Sequence, residues 1–253
     1  MILPDTEPNL ILKELQGEVE KVRYFVRKQR SSAKKVFWNA FTFPATYWAS
    51  YTNPKSKNTY YAWFYAATRE EAWREEFIGD WFLATNDSKG HRCLFILANT
   101  QPRPGAPNGD TSLISYTGHF FSRYRERALV PDSVSPIDLI VTYLGRNCRM
   151  MVELDFEKLN LNAGQYPDGS ACQVRDGVVF VEQHELKDDK GLPYRYFIHR
   201  TFLSPSLLKD GQQAGYLSKR KLYSLLCDEI KKYVNKDSLP FHTDRLIDKL
   251  HIF

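Results

Sequence analysis

The chain has 253 residues, 43% of them hydrophobic, with 35 Lys and Arg against 30 Asp and Glu, for a net charge of +5. That apolar content supports a packed core and excludes a disordered chain. The mild positive balance is compatible with a nucleic-acid partner without requiring one. No run approaches the roughly 18 apolar residues of a membrane-crossing helix, so no membrane partner is expected. Met1-Ile2-Leu3-Pro4-Asp5 lacks the charged-then-apolar order of a secretory signal. Cys93, Cys148, Cys172 and Cys227 are scattered, with no Cys-x2-Cys pair, which reads as a reduced, cytoplasmic chain.

Leu12, Leu15, Val19, Val22 and Val26 recur every three or four residues and predict a helix from Pro8 to about Arg30. Lys21, Arg23, Arg27, Lys28, Arg30, Lys34 and Lys35 cluster at its end. Cations are favourable near a helix C-terminus; the functional alternative is a surface that tracks phosphates. From Val36 to Phe82 the chain is aromatic-rich and holds all five tryptophans. Tyr47–Thr52 and Thr59–Ala66 read as strands joined by a turn at Asn53–Asn58. Alternation puts Tyr61, Trp63 and Tyr65 on one face and Tyr60 and Phe64 on the other. A sheet covered on both faces is the first reading, with a row of base-stacking rings as the alternative. Arg69–Glu76 reads as a short helix pairing Trp73 with Phe77 at i,i+4.

Asn86–Gly90 is a turn into the strand Cys93–Asn99. Gln101–Asp110, rich in proline and glycine, is a loop and a candidate domain boundary. Ser112–Tyr116 is then a strand that delivers a helix. Ser135-Pro136-Ile137-Asp138 starts another helix, with a serine cap, proline in the first turn and an acid behind it; it ends near Gly145 or Asn147. Val174–Val178 is a tight turn, and Lys187–Gly191 joins the strands Val178–Leu186 and Tyr194–Leu203. In the last of these, alternation places Arg195, Phe197, His199 and Thr201 on one face. Leu217–Val234 reads as a helix with Leu222, Leu226, Ile230 and Tyr233 as its stripe, and Thr243–Phe253 as a shorter one. These elements make an α+β protein of antiparallel sheet with packed helices. An aromatic-rich sheet region occupies 1–105 and a helix-plus-sheet region 106–253, as two domains or one continuous one.

Tyr116–Arg127 is the segment whose residue types point to chemistry rather than packing. In a helix starting at Gly118, His119, Arg123 and Arg127 drift by about 40° per step and share a stripe. Phe120, Phe121, Tyr124 and Ala128 form the buried arc; Ser122, Arg125 and Glu126 face water. Side chains lean toward the helix start, so both arginines reach back toward His119 and the first-turn N–H groups. The like charges cost a few tenths of a kcal/mol, which Glu126 relieves. Two guanidiniums, an imidazole and a helix N-terminus would make a phosphate-sized site; the alternative is a solvated basic face.

His-x3-Arg-x3-Arg, opening a helix after a strand, resembles the small metal-independent ribonucleases and toxins of the RelE, EndoU and colicin type, including phage- and plasmid-borne relatives. The resemblance implies helices packed on a curved antiparallel sheet, with RNA cleaved at one end of it. His119 would serve as general acid or base and Arg123 and Arg127 would stabilise the phosphorane. Arg195, His199 and Thr201 would be partners from the last strand. Neither cofactor nor metal is expected; RNA or another nucleic acid is the expected partner, with an inhibitor protein as a second. Two other readings stand beside it. One is a non-catalytic nucleic-acid- or protein-binding accessory protein of a mobile element or phage, gripping phosphate without cutting. The other is a metal-dependent nuclease, since Pro167-Asp168 and Glu185-Leu186-Lys187 resemble a Pro-Asp … Glu-x-Lys pattern.

Overall fold

The structure is a computed structural model that describes residues 1–99, 111–147, 152–154 and 169–231. It opens with α1 (Pro8–Trp38), followed by β1 (Ala45–Thr52), β2 (Thr59–Ala66), α2 (Arg69–Trp73), β3 (Ile78–Asn86), β4 (Arg92–Asn99) and β5 (Thr111–Tyr116). Then come α3 (Gly118–Arg127), α4 (Pro136–Arg146), β6 (Val152–Leu154), β7 (Gly169–Val174), β8 (Gly177–Lys187), β9 (Pro193–Leu203) and α5 (Asp210–Lys231). Among the described residues the strands form one sheet of nine, ordered β1-β2-β3-β4-β5-β9-β8-β7-β6. Every pairing is antiparallel except β5 with β9. This is an α+β fold, and the sheet runs unbroken past residue 105, because β4 pairs with β5.

The two faces of the sheet are covered by different helices. On one, α1 buries Leu12, Leu15 and Val22 against Tyr60, Trp81, Leu83 and Phe95, and its last turns bury Ala33 and Phe37 against Phe64 and Phe77. On the other, α3 and α4 bury Phe120, Phe121, Tyr124, Ile140 and Tyr143 against Trp63, Tyr65, Phe82, Leu94 and Phe202. Each such side chain contributes about 1.5–3 kcal/mol by leaving water. Ser135 caps α4, accepting from the Asp138 N–H at 3.1 Å, as its sequence anticipates. Gly145 lets α4 approach β2: a Cβ there would lie 2.2 Å from the Tyr65 ring.

Several expectations are corrected. α1 runs two turns past Arg30 to Trp38, because Ala33 and Phe37 continue its buried stripe. β3 had no counterpart in the sequence reading; its glycine and aspartate at 79 and 80 break the strand pattern, and pairing on both sides supplies what propensity does not. α2 stops at Trp73, which is exposed while Phe77 is buried, so the expected pair does not form. Tyr60, Trp63, Phe64 and Tyr65 are all buried, which removes the row of stacking rings on β2. α5 begins seven residues before Leu217 and buries Tyr216 and Tyr223; the side chains of Leu222, Leu226 and Ile230, and Tyr233 itself, lie outside the described set. The loop Gln101–Asp110, Pro167-Asp168 and the helix expected over Thr243–Phe253 also lie outside the described residues.

In β9 the expected alternation does not hold along the whole strand. The register jumps where Val181 opposes His199 and Phe180 opposes Thr201, leaving Arg200 as the extra residue of a β-bulge. The alternation therefore slips by one. Phe202, not Thr201, follows Phe197 and His199 onto the side under α3.

Candidate functional site

α3 starts where β5 ends, and its position is set by close approach. A Cβ on Gly118 would lie 2.5 Å from Asp87 Oδ2 and 2.7 Å from His91 Cβ. The turn between β3 and β4 is thus pressed against the helix start. Asp87 organises that turn: its Oδ1 accepts the Lys89 and His91 backbone N–H groups at 2.9 and 2.8 Å, and its Oδ2 lies 3.3 Å from His91 Nδ1. Burial works to raise the Asp87 carboxyl, but these hydrogen bonds outweigh it and hold the group below its usual range.

On the outer stripe of α3, His119 is exposed and Arg123 is half-buried. Arg123 donates from Nε to His119 Nε2 at 2.8 Å and from its fork to Glu126 at 2.7 Å. The first bond occupies the imidazole's acceptor and so places its proton on Nδ1. Partial burial and the charges of Arg123, Arg127 and His91 push the His119 pKa down, with Glu126 opposing. The ring is therefore neutral in neutral solution. Arg127 turns inward: its guanidinium donates to the Phe202 carbonyl of β9 and lies 3.5 Å from the Thr201 hydroxyl. His119, Arg123 and Arg127 are thus gathered on one surface, with Thr201 at its edge.

The other two candidates are placed elsewhere. His199 is 1% exposed, stacked on Tyr116 at 4.2 Å between ring centres, with Nδ1 3.3 Å from the Ser115 carbonyl. Burial pushes its pKa down to about 4. Arg195 lies four residues earlier on β9, roughly 13 Å along the strand, with its guanidinium 5.8 Å from the Phe197 ring centre. For the metal-dependent alternative, Glu185 and Lys187 are exposed on β8, and among the described residues no three His, Cys, Asp or Glu side chains are grouped to hold a metal.

Sequence reasoning missed two features. The first is His91, whose charge is felt by His119; its position straight after a turn carried no signal without knowledge of where α3 begins. The second is a buried polar cluster beneath α3. Asp176, in the β7–β8 turn, accepts from Tyr124 at 2.6 Å, Arg146 at 2.6 Å and Asn147 at 3.1 Å. Its backbone N–H donates to Asn147 at 3.0 Å. Burial alone would raise its pKa, but Arg146, Tyr124 and Asn147 hold it low. Asp-Gly at 176–177 is legible only as turn chemistry.

A cleft of about 430 Å³ also opens beside the start of α3. Cys93, Ser115, Tyr196 and Arg200 line it together with the segment before α1, and Thr117, Gly118 and Asp87 form one wall. His119, Arg123 and Arg127 are not among its lining residues, so this cleft does not hold the basic stripe. The fold and this surface define an α+β protein with a basic, histidine-containing helix face. No protein-family model, curated protein or solved structure matches the chain.

Proposed function

We propose that this is a nucleic-acid-binding protein whose α3 surface grips the phosphate backbone of RNA without cutting it. The reading rests on one observation: Arg123, Arg127 and His119 share one face of α3 with His91 close enough for its charge to be felt, and the carboxylates that pair with these groups are Glu126 on Arg123 and Asp87 on His91. Forked guanidiniums suit phosphate oxygens. Gripping is favoured over cutting because the His119 lone pair that a general base would use already accepts from Arg123. Arg127 is half committed to β9.

Labelled single-stranded RNA, incubated with the protein in excess chelator, tests this. The expected result is intact RNA and affinity that falls linearly in a plot of log K against log salt. Replacing Arg123 or Arg127 with Ala should lower that slope by about one each. Scission that persists in chelator and vanishes in His119→Ala would replace this reading with a metal-independent ribonuclease. Scission only after Mg²⁺ is added would favour the metal-dependent nuclease. Absence of salt-sensitive binding would end the proposal.

A further inference from the structure

The second half of α1 carries the strongest one-sided charge in the described chain. Between Lys21 and Trp38 there are seven Lys or Arg and no Asp or Glu. Helical geometry sorts them. At 100° per residue Tyr24, Lys28, Ser31, Lys35 and Trp38 fall within an arc of about 80°, along about 21 Å of helix. All five are exposed. They lie opposite Val22, Ala33 and Phe37, which α1 buries against the sheet.

Aromatic rings punctuate the stripe. Tyr24 is 56% and Trp38 53% exposed, and each carries a lysine close to its ring: Lys28 at 4.7 Å from the Tyr24 centre and Lys34 at 4.5 Å from the Trp38 centre. Past the helix end the surface continues onto Phe41, 94% exposed, and Trp73 of α2, 61% exposed. Arg69 joins these two, donating to the Phe41 carbonyl at 3.5 Å with its guanidinium 5.8 Å from the Trp73 ring centre. Carboxylates nearby are already engaged: Glu75 with Lys34 and Glu70 with Arg74. Lys28 and Lys35 sit on the outward line between the rings.

Large exposed rings are costly to leave in water, and the core has no place for these. An apolar protein partner would match the rings but would bury the Lys28 and Lys35 ammonium groups that lie on the same line. A lipid surface would take a continuous apolar face flanked by charge, whereas here two lysines lie on the line between the Tyr24 and Trp38 rings, and each ring has a lysine close to its face. That arrangement matches single-stranded nucleic acid, with bases stacked on the rings and phosphates beside the lysines. We propose that the outer face of α1, continued over Phe41 and Trp73, is a binding track for single-stranded nucleic acid. It lies on the opposite face of the sheet from α3 and stands independently of the α3 reading.

Fluorescence anisotropy of a labelled twelve-nucleotide oligouridylate, titrated with the intact protein at several salt concentrations, is the test. Its companions are tryptophan quenching, a duplex of equal length, and vesicles containing phosphatidylserine. The oligouridylate should bind more tightly than the duplex and quench the exposed tryptophans, while buried Trp63 and Trp81 keep their emission. Trp38→Ala should weaken binding by about tenfold, and Lys28→Glu with Lys35→Glu by more, with a smaller salt slope. These surface changes leave the melting curve unaltered. Equal binding of duplex, or wild-type affinity in the α1 variants, overturns the track. So does preference for vesicles lost in the same variants. The Arg123→Ala/Arg127→Ala protein separates the two proposals: retained oligouridylate binding there, with loss in the α1 variants, would sink the α3 reading and keep this one.

Discussion

Two polar clusters meet α3 from different sides, and their contrast separates structure from recognition. Around Asp176 the groups close on one another: Tyr124, Arg146 and Asn147 all point at one carboxylate whose side chain is 8% exposed. Around His119 the groups spread over several partners: Arg123 pairs with exposed Glu126, His91 lies 3.3 Å from Asp87, and Arg127 reaches the Phe202 carbonyl. Arginines appear in both. The difference lies in the acceptor: buried Asp176 holds the Arg146 guanidinium and ties the β7–β8 turn to the end of α4, whereas Arg123 pairs with an exposed carboxylate and keeps donors in reach of an incoming anion.

The sharpest way to break this comparison is Asp176→Ala. It leaves Arg146 and the Tyr124 hydroxyl without their shared acceptor, and urea denaturation should show a loss of about 3 kcal/mol. A loss under about 1 kcal/mol would mean that the cluster does not hold the turn.

Acid should come next in size. Burial holds His199 at about 4, below its ordinary value of about 6.5, so the unfolded chain takes up the proton first. Stability should therefore fall as pH drops through 6.5 and level off below about 4, by roughly 3 kcal/mol in all. Asp176 acts in a separate window: its lowered pKa supplies stability that is present above about 3.9 and lost only as pH falls through the lower folded value. Denaturation curves between pH 7 and 4 on the wild type and His199→Phe would isolate the histidine, since the variant should lose that slope whatever its own stability.

The two arginines of the stripe should then differ. Arg127→Ala strands the Phe202 carbonyl and should cost about 1–2 kcal/mol. Arg123→Ala should stay within about 0.5 kcal/mol, since its partners are exposed. Equal costs in thermal melts would erase the distinction between the guanidinium anchored on β9 and the one paired only within α3. The smallest effect belongs to Glu126→Gln. Its charge raises the His119 pKa against its cationic neighbours, so an NMR titration should find His119 lower still in the variant.

Much of this protein was written in local pattern. Three- and four-residue steps marked α1, Ser135-Pro136 marked α4, and the aromatic and β-branched runs marked β1, β2, β8 and β9, because helix and strand periodicity and capping act between near neighbours. The His119–Arg123–Arg127 stripe was legible for the same reason: residues four apart in one helix share a side wherever that helix sits. Long-range placement was not legible. His199 and Arg195 alternate correctly along β9, yet one is sealed under Tyr116 and Phe120 and the other lies four residues away, because burial depends on what covers a strand. Thr201 left the expected face through a bulge opposite Val181, a mismatch between two strands that neither encodes alone. Asp176, 52 residues from Tyr124 in sequence, became the centre of a buried cluster only when the sheet brought its turn beneath two helices. Composition and spacing determined which side chains would be neighbours along the chain, and only tertiary packing decided which of those groups lost their water and which kept it.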